Sequence, residues 1–337
     1  MSSYAQLEIP SRSQHLWRYT PWRRIHPTTI QNVPDAEPLK IEMGELSSGL
    51  SSREEIARTF LDETSAETRD LFLDNESIDL SIRADGEFNS SSLRIKSSGE
   101  SQLFIRISGA SKWAGLRIEG EVKGNLSVVL INNLGSNCNL LRCEDWNVLR
   151  DSTLELSTLS YGGFLVKSDI RVFLLESGAE FRGGIASHGH ESRHDDHHVE
   201  ITHNVAHTNS SLVMHSACGD SSHSIGTGLL TINEGAVKSD AGQVFRSILF
   251  SEKARTEAIP ELEVLADDVK AAHGAASAPV DREQLHYLMS RGLNPVESEA
   301  LIIEGFLMDA FREIKNPEVI DALRTRLLIH LDCLTGS

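Results

Sequence analysis

The sequence has few of the residues and motifs that would mark a disulfide-rich protein or a common hydrolase. Among 337 residues there are only four cysteines, and no two of them are spaced as Cys-x-x-Cys. This scarcity argues against a disulfide framework and against a self-contained metal ribbon. The Gly-x-Ser-x-Gly motif and the phosphate-binding Gly-x4-Gly-Lys-Ser/Thr loop are also absent, so any ATPase activity must come from another chain.

Long apolar runs and an excess of positive charge are missing as well. The longest apolar run, Leu126 to Ile131, has the length of a strand, whereas about 18 to 20 residues cross a bilayer. The first residues lack the apolar core of a secretory signal. Because 49 acidic and 32 basic residues give a net charge of −17, a phosphate backbone would be repelled. We therefore expect a cytoplasmic protein that binds neither membrane nor nucleic acid.

The N-terminal part, residues 1 to 75, combines an aromatic arm with helical signals. Trp17 and Trp22 lie in the arm, and they either dock it on the main body or anchor a partner. Ser52 begins a capping-box pattern ahead of an apolar i, i+4 pair, and a second segment from Ser65 repeats that pattern. We expect a small helical region that follows an extended arm.

Residues 76 to 280 have the pattern of a β protein. Short segments such as IDLSIRADG and QLFIRISGA alternate apolar and polar residues between Gly, Ser, Asn or Asp. Roughly twenty such strands predict either a large sandwich or barrel, or a coil of parallel strands stacked in rungs. The turns do not repeat the Asn-Gly or Asp-Gly pairs of antiparallel hairpins, which favours the coil. No exact repeat decides between the two.

Residues 281 to 337 return to helical patterns. Asp281 is a candidate N-cap for a first helix, and Asn294 with Pro295 begins a second. Asn316 begins a third helix, on which apolar residues recur at spacings of three and four. A helix of this kind needs cover, either from the same chain or from a partner.

Nine of the 14 histidines lie between His188 and His223. On a strand, His194, Asp196 and His198 would share one face, where they could bind zinc or iron. The stretch lacks the His-Glu-x-x-His motif and a closed zinc-finger spacing, which favours a structural or surface role. An autonomous metal-dependent enzyme that uses this stretch is the alternative function from another class.

A glycoside hydrolase is a further enzyme hypothesis with less support. Glu261 and Glu263 are two residues apart and would lie on one face of a strand, as a pair of catalytic carboxylates could. Such enzymes are usually secreted, and no secretion signal is found.

The run from Gln243 to Gly305 resembles the C-terminal signature of the SufB/SufD family of iron–sulfur cluster assembly scaffolds. The resemblance rests on PELEVLADDVKAAHGAA, on DREQLHYLMSRG and on ALIIEGF, which match the signature at many positions over some sixty residues. Upstream, RHDDHHVEITH also resembles a segment of the family, which makes the histidine stretch a feature of the β-helix surface. The N-terminal LWRYTPWRRI looks more like SufD than SufB.

The resemblance implies a mainly β fold, with a right-handed parallel β-helix core at residues 76 to 280 flanked by N-terminal and C-terminal α-helical regions. It implies a scaffold, not an enzyme, that pairs through the β-helix ends with a SufB-like subunit or a second copy of this chain. A SufC-type ABC ATPase would dock on residues 281 to 337. A transient iron–sulfur cluster would form in the complex, which could also hold a flavin (FAD), whereas no cofactor is expected to bind stably to this chain alone.

His273 is the residue to which the resemblance gives a role. On spacing alone it would be a structural histidine, but it matches the family's His-Gly-Ala-Thr motif, so we expect a cluster-assembly residue and a metal ligand shared with a partner subunit. Gly274, where SufB has glutamate, favours SufD. Ala271 replaces a cysteine of many SufD sequences, and Cys218 is the best-placed remaining thiol. The expected partner contacts in the C-terminal region are Pro295, Phe306 and Phe311.

Overall fold

The structure is a computed structural model, and it describes residues 4–28, 30, 32–41, 55–65 and 67–335. Seventeen strands and five α-helices account for most of these residues. The strands belong to two sheets, which the chain visits alternately.

The odd-numbered strands form one sheet and the even-numbered strands form the other. The odd strands are β1 (Lys40–Ile41), β3 (Ser77–Ala84), β5 (Glu100–Gly109), β7 (Asn125–Leu134), β9 (Thr153–Ser160), β11 (Glu180–Gly189), β13 (Asn209–Cys218), β15 (Asp240–Leu249) and β17 (Lys270–Pro279). The even strands are β2 (Thr68–Asp74), β4 (Phe88–Ser98), β6 (Trp113–Val122), β8 (Asn139–Val148), β10 (Leu165–Leu174), β12 (His194–His203), β14 (His223–Ile232) and β16 (Arg255–Val264).

Strands in each sheet pair in parallel with the strands two places before and after them, except that β1 pairs antiparallel with β3. The chain therefore forms a β-solenoid of about eight turns. The parallel coil predicted from the sequence is confirmed, and the sandwich or barrel alternative is wrong. In the middle rungs, paired residues such as His198 and Thr227 are 29 positions apart. Other rungs differ in length, which is why no exact repeat is visible in the sequence.

The interior of the coil is the main hydrophobic core, and most strands are also buried on their outer faces. Leu80, Ile118 and Ile170 lie in the interior cluster. In β6, nine of ten residues are buried. Burial on both faces arises because the two ends of the chain fold back over the two sheets, so the strands do not show the buried–exposed alternation of a one-sided sheet.

The N-terminal segment covers the outer face of the even sheet. It includes the short helix α1 (Trp22–Ile25) and α2 (Ile56–Thr64). Trp17 and Trp22 are buried in one cluster with Phe60, and the Nε1 group of Trp113 on β6 donates a hydrogen bond to the carbonyl of Ile25 at 3.0 Å. The tryptophans thus dock the arm on the main body, which is the first of the two interpretations given above.

Two expectations for this region need correction or restriction. The N-cap of α2 is Glu55, whose side chain accepts a hydrogen bond from the backbone of Ala57, and Ser52 lies outside the described residues. The helix predicted from Ser65 onward is wrong, since residues 68–74 form strand β2. Leu71 and Leu73 are buried in the core while Phe72 between them is exposed, and this alternation outweighs the local capping pattern.

The C-terminal helices are α3 (Arg282–Ser290), α4 (Pro295–Met308) and α5 (Pro317–Thr335). Asp281 caps α3, and Asn294 forms the predicted capping box at the start of α4. Helices α4 and α5 pack on the outer face of the odd sheet, where Leu307, Leu323 and Leu327 are fully buried. Much of the apolar face of α5 is therefore covered by its own chain. None of the helices in the described ranges is long and apolar enough to cross a membrane.

Candidate functional site at the open end of the coil

The candidate site lies on the last rung. Strand β17 pairs only with β15, and β16 pairs only with β14, so both strands have a free edge in the part of the chain that the structure describes. No residue of β16 or β17 is buried, in contrast to the middle rungs. The coil is therefore open at this end, with unpaired backbone groups and small side chains facing solvent.

His273 is at the centre of this end. It lies on β17 opposite Gln243 of β15, which in turn lies opposite the core residue Leu212 of β13. Residues in register on neighbouring parallel strands project to the same face, so His273 continues an interior column of the coil. Its side chain is exposed because no further rung covers it.

Gln243 makes this column polar one rung earlier. Its side chain is only 1% exposed, and its Nε2 group donates to the carbonyl of Glu261 at 2.6 Å. Its Oε1 atom is buried without a hydrogen-bond partner. The interior thus changes from leucine through glutamine to histidine at the open end.

The neighbours of His273 on β17 leave space for another backbone. A side chain at Gly274 would meet no atom within 4 Å, and Ala272, Ala275 and Ala276 are exposed. Ala271, where a thiolate was expected in the family, packs against the small apolar cluster of the last rungs. His273 is therefore presented by residues that add little bulk around it.

Cys218 is not a substitute for the missing thiolate. It lies in the interior of the coil on β13, and burial raises the pKa of its thiol to about 12. Cys218 is in register with Leu249 of β15 and Pro279 of β17, six positions along the strand from His273, so its thiol does not lie beside that histidine.

A series of polar side chains inside the coil was missed by the sequence reasoning. On β8, Arg142 bonds to Glu144, and the Nε1 group of Trp146 donates to the other Glu144 oxygen at 2.8 Å. Two rungs later, Arg193 pairs with Asp195 at 2.6 Å and donates to Ser160 at 2.7 Å. The only sequence signal was the presence of charged residues at alternate, inward positions of strands.

This series of interior polar side chains continues toward the open end, and some of its polar atoms lack hydrogen-bond partners. Ser187, Ser216 and Ser224 bond to one another at 2.8 to 3.2 Å, and Ser247 bonds to Thr256 in the next rung. Buried nitrogen atoms of three side chains in this interior have no hydrogen-bond partner; they belong to Arg142, Arg193 and His197. Buried polar groups without partners are costly, so these side chains reduce the stability that the interior would otherwise contribute.

The histidine-rich stretch does not form one cluster. His194 and His198 lie under the N-terminal segment, His197 points into the coil, and His188 and His215 lie under the C-terminal helices. In the described ranges, no three histidine, cysteine or acidic side chains are arranged as metal ligands. Of the structural or surface role expected for this stretch, the surface part is wrong for its buried members, because the two ends of the chain cover the outer faces of these strands and His197 points inward.

Three histidines nevertheless meet where α5 contacts the coil. The Nδ1 atom of His188 is 2.8 Å from Nε2 of His330, and the ring of His190 is 5.5 Å from that of His330. Burial, with His190 and Arg193 nearby, lowers the pKa of His330 to about 3, so the ring is neutral at pH 7. The neutral rings hold α5 on the odd sheet by a hydrogen bond that charged rings could not form.

The expected partner contacts differ in their accessibility. Pro295 is exposed at the start of α4, and Phe306 is half-buried, with its ring stacked on His215. Phe311 is fully buried, and its ring leaves no room for a side chain at Gly184 of β11. Phe311 thus fixes the helices on the coil, whereas Leu301 on α4 and Leu328 on α5 are exposed on the solvent side.

A family model described as "SUF system FeS cluster assembly, SufBD core domain" matches residues 96–306, which is most of the coil together with α3 and nearly all of α4. The chain belongs to the SufBD family. This chain is also 44% identical over 103 residues to "Iron-sulfur cluster assembly protein SufD" of Bacillus subtilis, an alignment that covers 31% of this chain and 24% of that protein.

Two other relatives agree with this assignment. The SufD protein of Escherichia coli is 33% identical over 116 residues, which cover 34% of this chain and 27% of that protein. A SufBD family protein of Mycobacterium tuberculosis, Rv1462, is 23% identical over 94% of this chain and 88% of its own length. The aligned part of this chain thus corresponds to about a quarter of the length of each of the two SufD proteins.

Proposed function

We propose that this SufBD-family protein is a SufD-like scaffold subunit of an iron–sulfur cluster assembly complex, in which the nascent cluster forms at the open end of the coil. The observation that carries the proposal is the uncovered last rung, where His273 ends an interior column between small residues. Scaffold work needs a ligand at an interface and no catalytic group of its own. The names of the two SufD relatives support the same reaction class.

The partner at the open end is a SufB-like subunit or a second copy of this chain. A free strand edge is a template for another strand, because its backbone N–H and C=O groups are unpaired. One histidine supplies only part of the four-ligand set that an iron–sulfur cluster usually has. The second subunit therefore completes the site, and the cluster is the product that the two subunits pass on.

A SufC-type ATPase would bind the outer side of α4 and α5. Leu301 and Leu328 are about half exposed, and helical spacing places them one turn from Glu304 and Arg324. Those two residues form an ion pair at 3.0 Å across the helices. Exposed leucines next to an ion pair are typical of a surface that binds another protein, because a partner would remove the apolar side chains from water. The complex would work in the cytosol, and a flavin would belong to the complex as a whole.

The test is cluster formation by the complex after His273→Ala. The variant is co-expressed with a SufB-like subunit and a SufC-type ATPase, and bound iron, sulfide and visible absorbance are measured on the purified complex. We expect at least about a tenfold loss of cluster with unchanged subunit composition, because the substitution removes an iron ligand from an exposed position.

His286→Ala is the matched control, since His286 is an exposed histidine on the neighbouring helix α3. It should leave the cluster yield at the wild-type level. A normal yield from an intact His273→Ala complex would contradict the role of His273.

A further inference from the structure

A second set of chemically active side chains lies on the outer side of the even sheet, where the turns lead into β12, β14 and the last even strand, β16. The first residues of three successive strands, β12, β14 and β16, are in register. These residues are His194, His223 and Arg255. The turn residues two positions earlier are Ser192, Ser221 and Lys253. The regular stacking of the coil therefore places six polar side chains in two adjacent columns.

These six residues, together with Arg24 and Glu252, line a cavity of about 500 Å³ that we call the cationic pocket. Arg24 comes from α1, more than 160 residues earlier in the chain, so the docked N-terminal arm forms one wall. The pocket is therefore formed by two separate parts of the chain. Its size is in the usual range for a small-molecule site.

The three cations of the cationic pocket have no carboxylate partner within ion-pair distance in the part of the chain that the structure describes. These cations are Arg24, Lys253 and Arg255. Asp196, which interacts electrostatically with Arg24, is already paired with Lys167 at 2.9 Å. Glu257 is engaged by His223, and Glu252 is exposed at the rim. The pocket is lined by three cations and one carboxylate, so in a chain with 49 acidic and 32 basic residues it has a local excess of positive charge that an anion would balance.

Arg24 is held in position by a neutral histidine. The Nη1 atom of Arg24 is 3.4 Å from Nδ1 of His194, and the hydroxyl of Thr20 is 2.9 Å from the other ring nitrogen. Burial, together with the nearby Arg24, lowers the pKa of His194 to about 4. At neutral pH its Nδ1 atom can therefore accept a hydrogen bond from Arg24.

The positive surface continues beyond the pocket. A neighbouring cavity of about 570 Å³ shares Arg24 and is also lined by Arg12, Arg23 and Ser11. A ligand with more than one anionic group could therefore span both cavities through Arg24.

We propose that the cationic pocket binds the phosphate group of a soluble phosphorylated small molecule. Guanidinium groups match the geometry of phosphate oxygens, lysine adds a point charge, and the Ser192 and Ser221 hydroxyls are further donors. This site lies on the even sheet, whereas the proposed cluster site belongs to the last rung of the odd sheet. Its occupation does not depend on the scaffold function.

The test measures binding of inorganic pyrophosphate to the purified full-length chain by isothermal titration calorimetry at low ionic strength. We expect saturable binding with one site per chain. Because a charge-assisted hydrogen bond contributes about 1.5 to 3 kcal/mol, Arg255→Gln and Arg24→Gln should each raise the Kd by at least about tenfold. Lys123→Gln is the control, since Lys123 is an exposed cation in a turn several rungs away, and its Kd should stay unchanged.

A second experiment distinguishes a soluble ligand from a lipid headgroup. Vesicles of phosphatidylcholine with and without phosphatidylglycerol are sedimented with the same proteins. The proposal predicts pyrophosphate binding without sedimentation. The proposal would be overturned if pyrophosphate showed no saturable binding, or if Lys123→Gln raised the Kd as much as Arg255→Gln and Arg24→Gln do. It would also be overturned if the protein bound anionic vesicles but not pyrophosphate.

Discussion

Arg58 joins helix α2 to the even sheet through buried charges. Its guanidinium is fully buried, contacts Asp145 at 3.0 Å and forms an ion pair with Asp169. Asp169 also binds Arg171 at 3.2 Å. Burial alone would raise the pKa of Asp169, but Arg58 and Arg171 overcome this effect and hold the pKa below its usual value. The carboxylate is therefore charged in the folded protein.

Asp169→Asn should destabilise the fold by about 3 kcal/mol at pH 7, because it leaves buried arginines with one carboxylate fewer. A carboxyl with a lowered folded pKa stabilises the fold above its unfolded pKa, and this stabilisation is lost as pH falls through the folded pKa. The difference from wild type should thus shrink below about pH 4. Urea unfolding at neutral and acidic pH measures it.

Asp79→Asn removes a half-exposed ion pair with Arg106 and serves as the control. Its effect should remain within about 1 kcal/mol at either pH. The buried charge would be shown not to stabilise the fold if the two substitutions lowered the free energy of unfolding equally. The same would follow if the loss of stability in Asp169→Asn did not change with pH.

Single residues also show where the sequence was insufficient. The family motif singled out His273, and the structure places it at the open end. It could not be predicted that His197 points into the coil while His198 lies under the arm, although strand alternation separates them. Which face is inward depends on the register of the whole coil, and that register is set by contacts about 29 residues away.

Elements whose signals are local were predicted well, and elements that depend on distant partners were not. The capping box at Asn294 and the cap at Asp281 satisfy helix N-termini within a few residues, so the sequence suffices. Residues 68–74 form strand β2 and not the predicted helix, because β4 supplies their backbone hydrogen bonds and the core buries their apolar side chains. The cationic pocket was invisible because Arg24 reaches His194 only after the arm docks.

Helices α4 and α5 carry the proposed ATPase surface, and the structure shows how to test them without unfolding the chain. Deleting residues 294 to 337 would expose the buried outer face of the odd sheet. Exchanging Leu301 and Leu328 for aspartate changes only exposed positions. We expect the double variant to lose capture of a SufC-type ATPase in a pull-down, because charged groups would replace the apolar centre of the patch.

Val237→Asp is the comparison variant, since Val237 is an exposed apolar residue in a turn of the coil. It should capture the ATPase as the wild type does. Undiminished capture by the Leu301→Asp, Leu328→Asp double variant would place the ATPase elsewhere on the chain.

At the scale of the molecule, the coil distributes its contacts so that each rung covers the next. The interior cluster extends from the first rungs to Phe245 on β15, and among the described strands β16 and β17 are the two that lack a following rung. Period-two alternation was enough to predict many strands but not their stacking, because both sheets are covered on the outside. At this end the fold leaves the edges of two full-length strands, β16 and β17, for a second subunit.

Charged residues on that edge should separate the subunits. Ala272 and Ala276 are exposed on β17, and lysine at both positions would place like charges or desolvated ammonium groups against a pairing strand. We expect native mass spectrometry of the co-expressed complex to show this chain separated from its scaffold partner, or as a monomer where the partner is a second copy.

Phe72→Lys on β2, the edge strand at the other end, should leave the mass of the complex unchanged. An intact complex with lysine at both β17 positions would mean that the subunits meet through another surface, and the site at His273 would then have to be completed by this chain alone.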